Sequence, residues 1–444
     1  MRSRQKKQFS YRGKMITNVL LLGFGVTGKS VVEFFEIYDV NLQIYDQSQH
    51  AQCQIKIANH FEDINLKIDL IVTSPGINLI DSKFGLLHTL GVQIVSDIEL
   101  FVAYAKAPII AITGSNGKST VTTLVGKVLT GAGFRVAVIG NIGVPALSAL
   151  DNTIDYYVIE LSSFQLEHIY DLNAKIGCIL NISPDHIDRH GSFQAYCEAK
   201  YRLMNQCDTL VLNKNDAFEI KVLEGAKDIV WINSQESYVL SPENQALLFS
   251  GEKMVDGNIF QIKGSHNLEN ILAVFAIVDS LDINREMTIK IIQSFEGLPH
   301  RCQPVAVIDR VTYINDSKGT NTGATFAAIM GLAGAKEKNI ILLLGGIAKG
   351  GDFTMLIPAI SKHVQHILIY GRDAKFILNT LQNTCQISLV ETMKEALRKA
   401  KILANSGDIV LFSPACSSFD QFQSFAQRGE MFMHEVKQLE FSKI

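Results

Sequence analysis

Short apolar runs that stop at a glycine or a polar residue recur along this chain, and most are followed by a stretch with helical spacing. The runs at 18–22, 42–45 and 69–72 read as strands, with a helix at 30–38 between the first two. A second series follows at 109–113, 135–139, 156–160, 176–181 and 209–213, with helices at 121–129 and 193–205. A third comprises 313–315, 340–344, 366–370 and 409–412, again interleaved with helical stretches. Strands separated by helices predict an α/β fold of mostly parallel sheets, with ligands at the carboxyl ends of the strands. The pattern restarts at Pro108 and again near Gly297, so we expect three domains: 1–107, 108–298 and 299–444. A chain of 444 residues exceeds a single ordinary core, which agrees with that division. Residues 229–263 read as short scaffold strands with turns at Ser241-Pro242 and Asp256-Gly257.

The sharpest chemical signal follows the run at 109–112, where Thr113-Gly114-Ser115-Asn116-Gly117-Lys118-Ser119-Thr120 leads into a helix. Glycines let backbone amides turn toward an anion, the helix N-terminus adds positive potential, Lys118 reaches outer phosphates and Ser119 offers a hydroxyl to magnesium. This predicts ATP or GTP binding in a central, phosphate-loop ATPase-like parallel sheet. The common template has four residues between its glycines, whereas only Ser115 and Asn116 stand between Gly114 and Gly117. The loop is therefore a variant. Glu160 closes the run at 156–160, where it can hold magnesium or be an ordinary strand-end acid.

The first domain carries Gly23-Phe24-Gly25-Val26-Thr27-Gly28 after a strand, and Asp46 at the end of the next one. This is the dinucleotide fingerprint in a Rossmann-like setting, which fits NAD; a UDP diphosphate on a helix N-terminus satisfies the glycines equally. Thr73-Ser74-Pro75-Gly76 is either a further ligand loop at that sheet edge or a chain reversal. In His266-Asn267-x-x-Asn270 the two amides share a helical face suited to a purine edge, and Asn267 can equally be the helix N-cap. The Rossmann-like third domain has three polar strand-end loops, 316–321, 345–351 and 413–418, whose lysines and hydroxyls suit a dianionic ligand or are plain solvated loops.

Composition narrows the class. The 41 basic and 44 acidic residues give a formal charge of -3, which does not favour a nucleic-acid or membrane-surface partner. Seven scattered cysteines without C-x-x-C spacing indicate neither a disulfide framework nor a zinc site, and suit a reducing cytoplasm. The basic first fourteen residues, with Arg2 and Arg4, precede an apolar run too short for an export signal.

The motifs quoted above, with Gly140-Asn141-Ile142-Gly143, Glu160-Leu161-Ser162-Ser163-Phe164-Gln165, Asn181-Ile182-Ser183-Pro184-Asp185-His186-x-Asp188, His300-Arg301 and Asn315-Asp316-Ser317-Lys318, resemble the ATP-dependent Mur ligases of bacterial cell-wall synthesis. Folylpolyglutamate synthetase is similar in the middle domain. The shortened phosphate loop is the form this family has. The start of the chain and Ser413-Pro414-Ala415-Cys416-Ser417-Ser418-Phe419-Asp420-Gln421-Phe422-x-x-Phe425-x-x-Arg428-Gly429 resemble its D-glutamate-adding branch, and the Asp-Asn-Pro-Arg motif of the diaminopimelate- or lysine-adding branch is missing. The resemblance implies an amide ligase that uses ATP and magnesium to join D-glutamate to UDP-N-acetylmuramoyl-L-alanine through an acyl phosphate. It implies Gly114 to Thr120, Asn141, Asn270, Arg301 and Asp316 for ATP, with Lys118, His186 and Lys200 catalytic. Ser119, Glu160, His186 and Lys200 as a carbamate are implied for the metal; Gly25, Thr27, Asp46 and Ser74 for the UDP substrate; and Lys318, Thr320, Lys349, Ser418 and Phe425 for D-glutamate. Read as a bare residue, Lys200 is a helical surface lysine. A cytoplasmic monomer is expected. The rival readings are another Mur-type ligase, an NAD-dependent dehydrogenase, which leaves Gly114 to Thr120 unexplained, and a non-catalytic nucleotide switch, which needs neither Glu160 nor the loops at Lys318 and Lys349.

Overall fold

The computed structural model describes residues 6–47, 55–79, 81–216, 228–241, 245–333 and 338–441. Arg2, Arg4, Cys53 and Pro242 lie outside them. Three large sheets organise the described chain. The first has five parallel strands in the order Ile57–Ala58, Asn41–Tyr45, Asn18–Leu22, Leu70–Thr73 and Gln93–Ser96. In the second, nine strands run Glu252–Asp256, Ala246–Phe249, Tyr238–Leu240, Asp228–Ile232, Cys207–Asn213, Ala174–Ile179, Ile109–Thr113, Tyr156–Glu160 and Val136–Gly140. Its first three strands meet antiparallel, and the remaining pairs are parallel. The third places Gln303–Ile308 antiparallel to Val311–Asn315, then continues in parallel through Ile409–Phe412, Ile340–Gly345, Val364–Tyr370 and Gln386–Leu389.

The central strands are legible because helices cover both of their faces, so every residue of Ile109–Thr113, Leu70–Thr73 and Ile340–Gly345 is buried. Strands exposed on one side were missed. Gln93–Ser96 and Gln303–Ile308 mix buried and more exposed positions, Gln386–Leu389 has no buried position, and the hairpin of Phe9–Tyr11 with Lys14–Ile16 has only three residues per strand. The helix expected at 30–38 is Val26–Phe35. It begins directly at Gly25 and takes Gly28 inside it, because a side chain at Gly28 would come within 2.2 Å of the Gly23 carbonyl oxygen. Asn267 is not the N-cap of Ser265–Asp279; Gly264 is, and the Asn267 amide donates back to the Lys263 carbonyl at 2.8 Å.

The first two sheets share one apolar core. Phe9, Tyr38 and Phe101 belong to the same buried cluster as Ile109 and Tyr157, and Phe101 meets Tyr157 edge to face at 4.8 Å. Glu99 reinforces the joint: one carboxyl oxygen accepts from Tyr11, the other from the backbone amides of Tyr170 and Asp171. The third sheet has its own two apolar layers and meets the second through the polar groups described below.

Gly28→Ala should lower the stability of the first unit by about 1–3 kcal/mol, the usual range for an overpacked site. Gly25→Ala, with nothing within 4 Å of its added carbon, should cost less, only the loss from alanine replacing glycine at the N-cap. Urea unfolding of the two variants checks this; equal midpoints would contradict it.

Candidate active site

The strand Ile109–Thr113 lies between Ala174–Ile179 and Tyr156–Glu160, so the loop that follows emerges at the carboxyl edge of the sheet, flanked by two further strand ends. Gly114 and Gly117 hold φ of 152° and 83°, conformations that side chains resist. A side chain at Gly117 would also strike the Asn270 amide, 2.1 Å from the added carbon, so glycine here admits Asn270 against the loop. Asn181 braces the loop from the neighbouring strand, accepting from the Asn116 amide at 2.8 Å and donating to its carbonyl at 3.0 Å. Lys118 closes over the loop and donates to the carbonyls of Gly114 and Ser115 at 2.7 and 2.9 Å. Burial holds its ammonium below the ordinary lysine range.

Glu160 is buried, at 1% exposure. One carboxyl oxygen accepts from the Asn141 amide at 2.7 Å; the other, Oε2, has no hydrogen-bond partner among the described residues. An orphaned carboxylate oxygen beside a phosphate loop suits a hard divalent cation. The residues therefore fit magnesium. Ser119 accepts from Arg301 Nη2 at 2.9 Å, which brings a guanidinium from the third unit onto the first turn of the phosphate-loop helix.

Lys200 is not on the surface. It is 1% exposed, donates to the Gly114 carbonyl at 3.0 Å and lies 4.7 Å from the Tyr196 ring centroid. Burial, and then the neighbouring Lys118, push its amine well below its usual range. His186 is held in a left-handed backbone conformation with φ of 55°. Burial takes its imidazole down to about 4, so at neutral pH the ring is uncharged and keeps a lone pair for a cation.

Next to it, Asp185 joins two units. It accepts from Lys349 Nζ at 2.8 Å and from the Asn321 amide at 2.9 Å, and Asn321 also reaches Asn116 at 3.2 Å. Burial, the largest single influence, raises the Asp185 carboxyl, but Lys349, His186 and the hydrogen bond from Asn321 together outweigh it and the group sits at about 2. Lys318 stands 3.8 Å over the Phe425 ring, and burial, then Arg301, bring it down to about 8. Ser418 is buried on the loop after Ile409–Phe412, and Thr320 lies on the loop after Val311–Asn315, the adjacent strand. Asp316 accepts from Ser413 and from the Cys302 amide; burial raises it to about 6.

One cavity between the second and third units brings together the expected nucleotide residues Asn116, Gly117, Thr120, Asn270, Arg301 and Asp316 with Lys318, which was expected at D-glutamate; Gly114, Ser115, Lys118, Ser119 and Asn141 do not line it. Ser115 instead faces the fold interior, bonded to Ser183 and Tyr196. At the first sheet, Gly25 caps Val26–Phe35 and Thr27 lies in its first turn. Asp46 accepts from the Phe24 amide at 2.5 Å, and Ser74 donates to the Gly23 carbonyl at 3.1 Å, so both brace the glycine loop. Ser74 shares a small cavity with Gln165, His168 and Arg189 of the second unit. Asn181 and Asp185, within the quoted motif 181–188, and Asn321, at the end of the polar loop 316–321, had no role of their own in the sequence reading; the structure puts all three on strand-end loops at the cleft.

Family models match three consecutive segments: a Mur ligase MurD-like N-terminal domain over 17–96, a Mur ligase middle domain over 112–278, and a Mur ligase glutamate ligase domain over 300–416. A UDP-N-acetylmuramoylalanine--D-glutamate ligase of Francisella tularensis subsp. tularensis is 41% identical over 436 residues, spanning 97% of this chain and 99% of the relative. The protein of that name from subsp. novicida is 40% identical over 442 residues, with the same coverage. Among solved structures, UDP-N-acetylmuramate-alanine ligase from Thermotoga maritima superposes with a TM-score of 0.61 at 18% identity, covering 96% of this chain and 100% of that one. A pseudomurein peptide ligase type C from Methanothermus fervidus gives 0.61 at 17%, covering 95% and 100%. These two likenesses concern the fold.

Proposed function

The chain belongs to the Mur ligase family, and from that membership we propose that it joins the amine of D-glutamate to the alanyl carboxylate of UDP-N-acetylmuramoyl-L-alanine at the expense of ATP, in peptidoglycan precursor synthesis. The observation that carries this reading is the meeting, at one cleft, of a phosphate loop with Lys118 and a third unit that brings Lys318 and Lys349 toward it.

A carboxylate does not condense with an amine unaided. The alanyl carboxylate oxygen attacks the γ-phosphorus, the bond to the bridging oxygen breaks, and ADP departs with that electron pair. The glutamate nitrogen, as a neutral amine, then attacks the acyl carbon, the acyl carbon–oxygen bond breaks so that inorganic phosphate leaves with its electron pair, and the proton shed by the nitrogen passes to that phosphate. Lys118 and Arg301 offset the charge that moves across the phosphoryl oxygens, in a site preorganised before the reaction begins. Magnesium held by Ser119, Glu160, His186 and carbamylated Lys200 would add Lewis-acid neutralisation of the phosphates. The burial of Lys200 supports its place in that set, because only an uncharged amine adds to carbon dioxide, and the product exchanges a cation for an anionic oxygen ligand. On this reading UDP sits at Gly25, Thr27, Asp46 and Ser74, ATP at 114–120 with Asn141, Asn270, Arg301 and Asp316, and D-glutamate among Lys318, Thr320, Lys349, Ser418 and Phe425. The domain limits 1–107, 108–298 and 299–444 belong to the same proposal, as does a cytoplasmic monomer with no nucleic-acid or membrane partner. Among the described residues no helix is long and apolar enough to cross a membrane.

Phosphate release with UDP-N-acetylmuramoyl-L-alanine and a panel of D- and L-amino acids tests the assignment. D-glutamate should support release; release with L-lysine and not with D-glutamate would overturn it. Protein equilibrated with ¹³C-labelled carbon dioxide should give a carbamate carbon signal that Lys200→Arg abolishes, and an unchanged signal would remove Lys200 from the metal set. Lys318 is cationic below about pH 8 and neutral above it. A neutral amine no longer attracts a carboxylate, so kcat/KM for D-glutamate should fall as pH rises through about 8, and Lys318→Arg should shift that limb upward. Superimposable profiles would contradict a direct contact.

A further inference from the structure

Among the described residues Arg428 is the largest fully buried side chain, at 0% exposure. Among the described residues it has no carboxylate partner; its guanidinium donates to oxygens of two loops. Nη2 and Nε bind the Ser317 carbonyl and hydroxyl at 2.8 and 3.1 Å, and Nη1 binds the Cys416 carbonyl at 3.0 Å. Ser317 in turn donates to the Phe425 carbonyl at 2.8 Å, on the first turn of the helix that carries Arg428. That turn presents the ring over which Lys318 sits. The two loops leave neighbouring parallel strands, and one further backbone bond, from Ala415 to Gly319, joins them.

A buried cation met only by neutral acceptors is an expensive way to fill space, and an apolar side chain would fill it at lower cost. What the guanidinium adds is a rigid planar fork that sets the separation of several acceptors at once, which an ammonium on a flexible stem does not. We propose that Arg428 is a positioning residue that fixes the width of the amino-acid pocket, by holding the loop of Lys318 and Thr320 against the loop of Ser418. The inference rests on the D-glutamate reading above and adds the element that gives that pocket its length discrimination.

Arg428→Lys keeps the charge and loses the fork; Ser317→Ala removes the hydroxyl that joins the fork to Phe425. In the full-length enzyme, shown by circular dichroism to be folded, both should raise KM for D-glutamate by roughly tenfold, the scale of one charged hydrogen bond, while the KM values for ATP and the UDP substrate stay at wild-type values. The preference for D-glutamate over D-aspartate should fall with them. Unchanged D-glutamate KM and preference, or a parallel rise in all three KM values, would overturn the proposal. Should Arg428→Lys not fold, Ser317→Ala decides on the same criteria. The wild-type arm keeps the two readings apart: if it ligates a different amino acid, the D-glutamate assignment fails, and the KM comparison made with that amino acid still decides the role of Arg428.

Discussion

An excess of positive charge at the carboxyl edge of the middle sheet is the constraint on which the cleft depends. Lys118, Lys200, Arg301, Lys318 and Lys349 act electrostatically on one another there, against the carboxyl groups of Glu160 and Asp185. Removing basic groups from water while they repel one another is costly. The protein bears it by depressing the amines of Lys118, Lys200 and Lys318, and by turning backbone carbonyls of Gly114 and Ser115 toward the two deepest lysines. A polyanion relieves all of these costs together. A nucleotide triphosphate and a dicarboxylate amino acid are the ligands whose charge complements such a site, and their binding energy is then available for orienting the reacting groups.

How the units are joined follows from the same division between apolar and polar contacts. The first and second share buried aromatic and aliphatic side chains, with Phe101 against Tyr157 and Glu99 capturing the turn at Tyr170 and Asp171. That joint is built like a core. The third unit meets the second through Arg301 on Ser119 and through Lys349 and Asn321 on Asp185. Polar contacts of this kind exchange readily with water, whereas the aromatic and aliphatic contacts of the first joint do not.

How far the sequence discloses this varies with the range of the interaction. Strands such as Tyr156–Glu160 and Ile409–Phe412 are legible because both faces are buried and their ends carry polar residues. The phosphate loop is legible because its glycines, lysine and hydroxyl lie within eight residues, Thr113 to Thr120. The burial of Lys200 is not, since its helix mixes polar and apolar positions; the one local hint is Tyr196, four residues earlier and so on the same face. Asp185 finds Lys349 164 residues away, and Arg428 finds Ser317 111 residues away. No spacing rule reaches across such separations. The misplaced first helix is of another kind, because Gly25 and Gly28, read as the loop before it, cap the helix and lie inside it; at Ser265–Asp279 the N-cap is Gly264, which has no side chain to signal it, and not Asn267.

Ligation depends most directly on Lys118 neutralising the terminal phosphoryl as it passes to the alanyl carboxylate. The direct measurement is the rate of phosphate release by Lys118→Ala, shown by circular dichroism to be folded, at saturating ATP, UDP-N-acetylmuramoyl-L-alanine and D-glutamate. A fall of roughly a hundredfold or more, the scale seen when one preorganised electrostatic contact is lost, is the predicted result. A folded variant that releases phosphate at the wild-type rate would contradict the account.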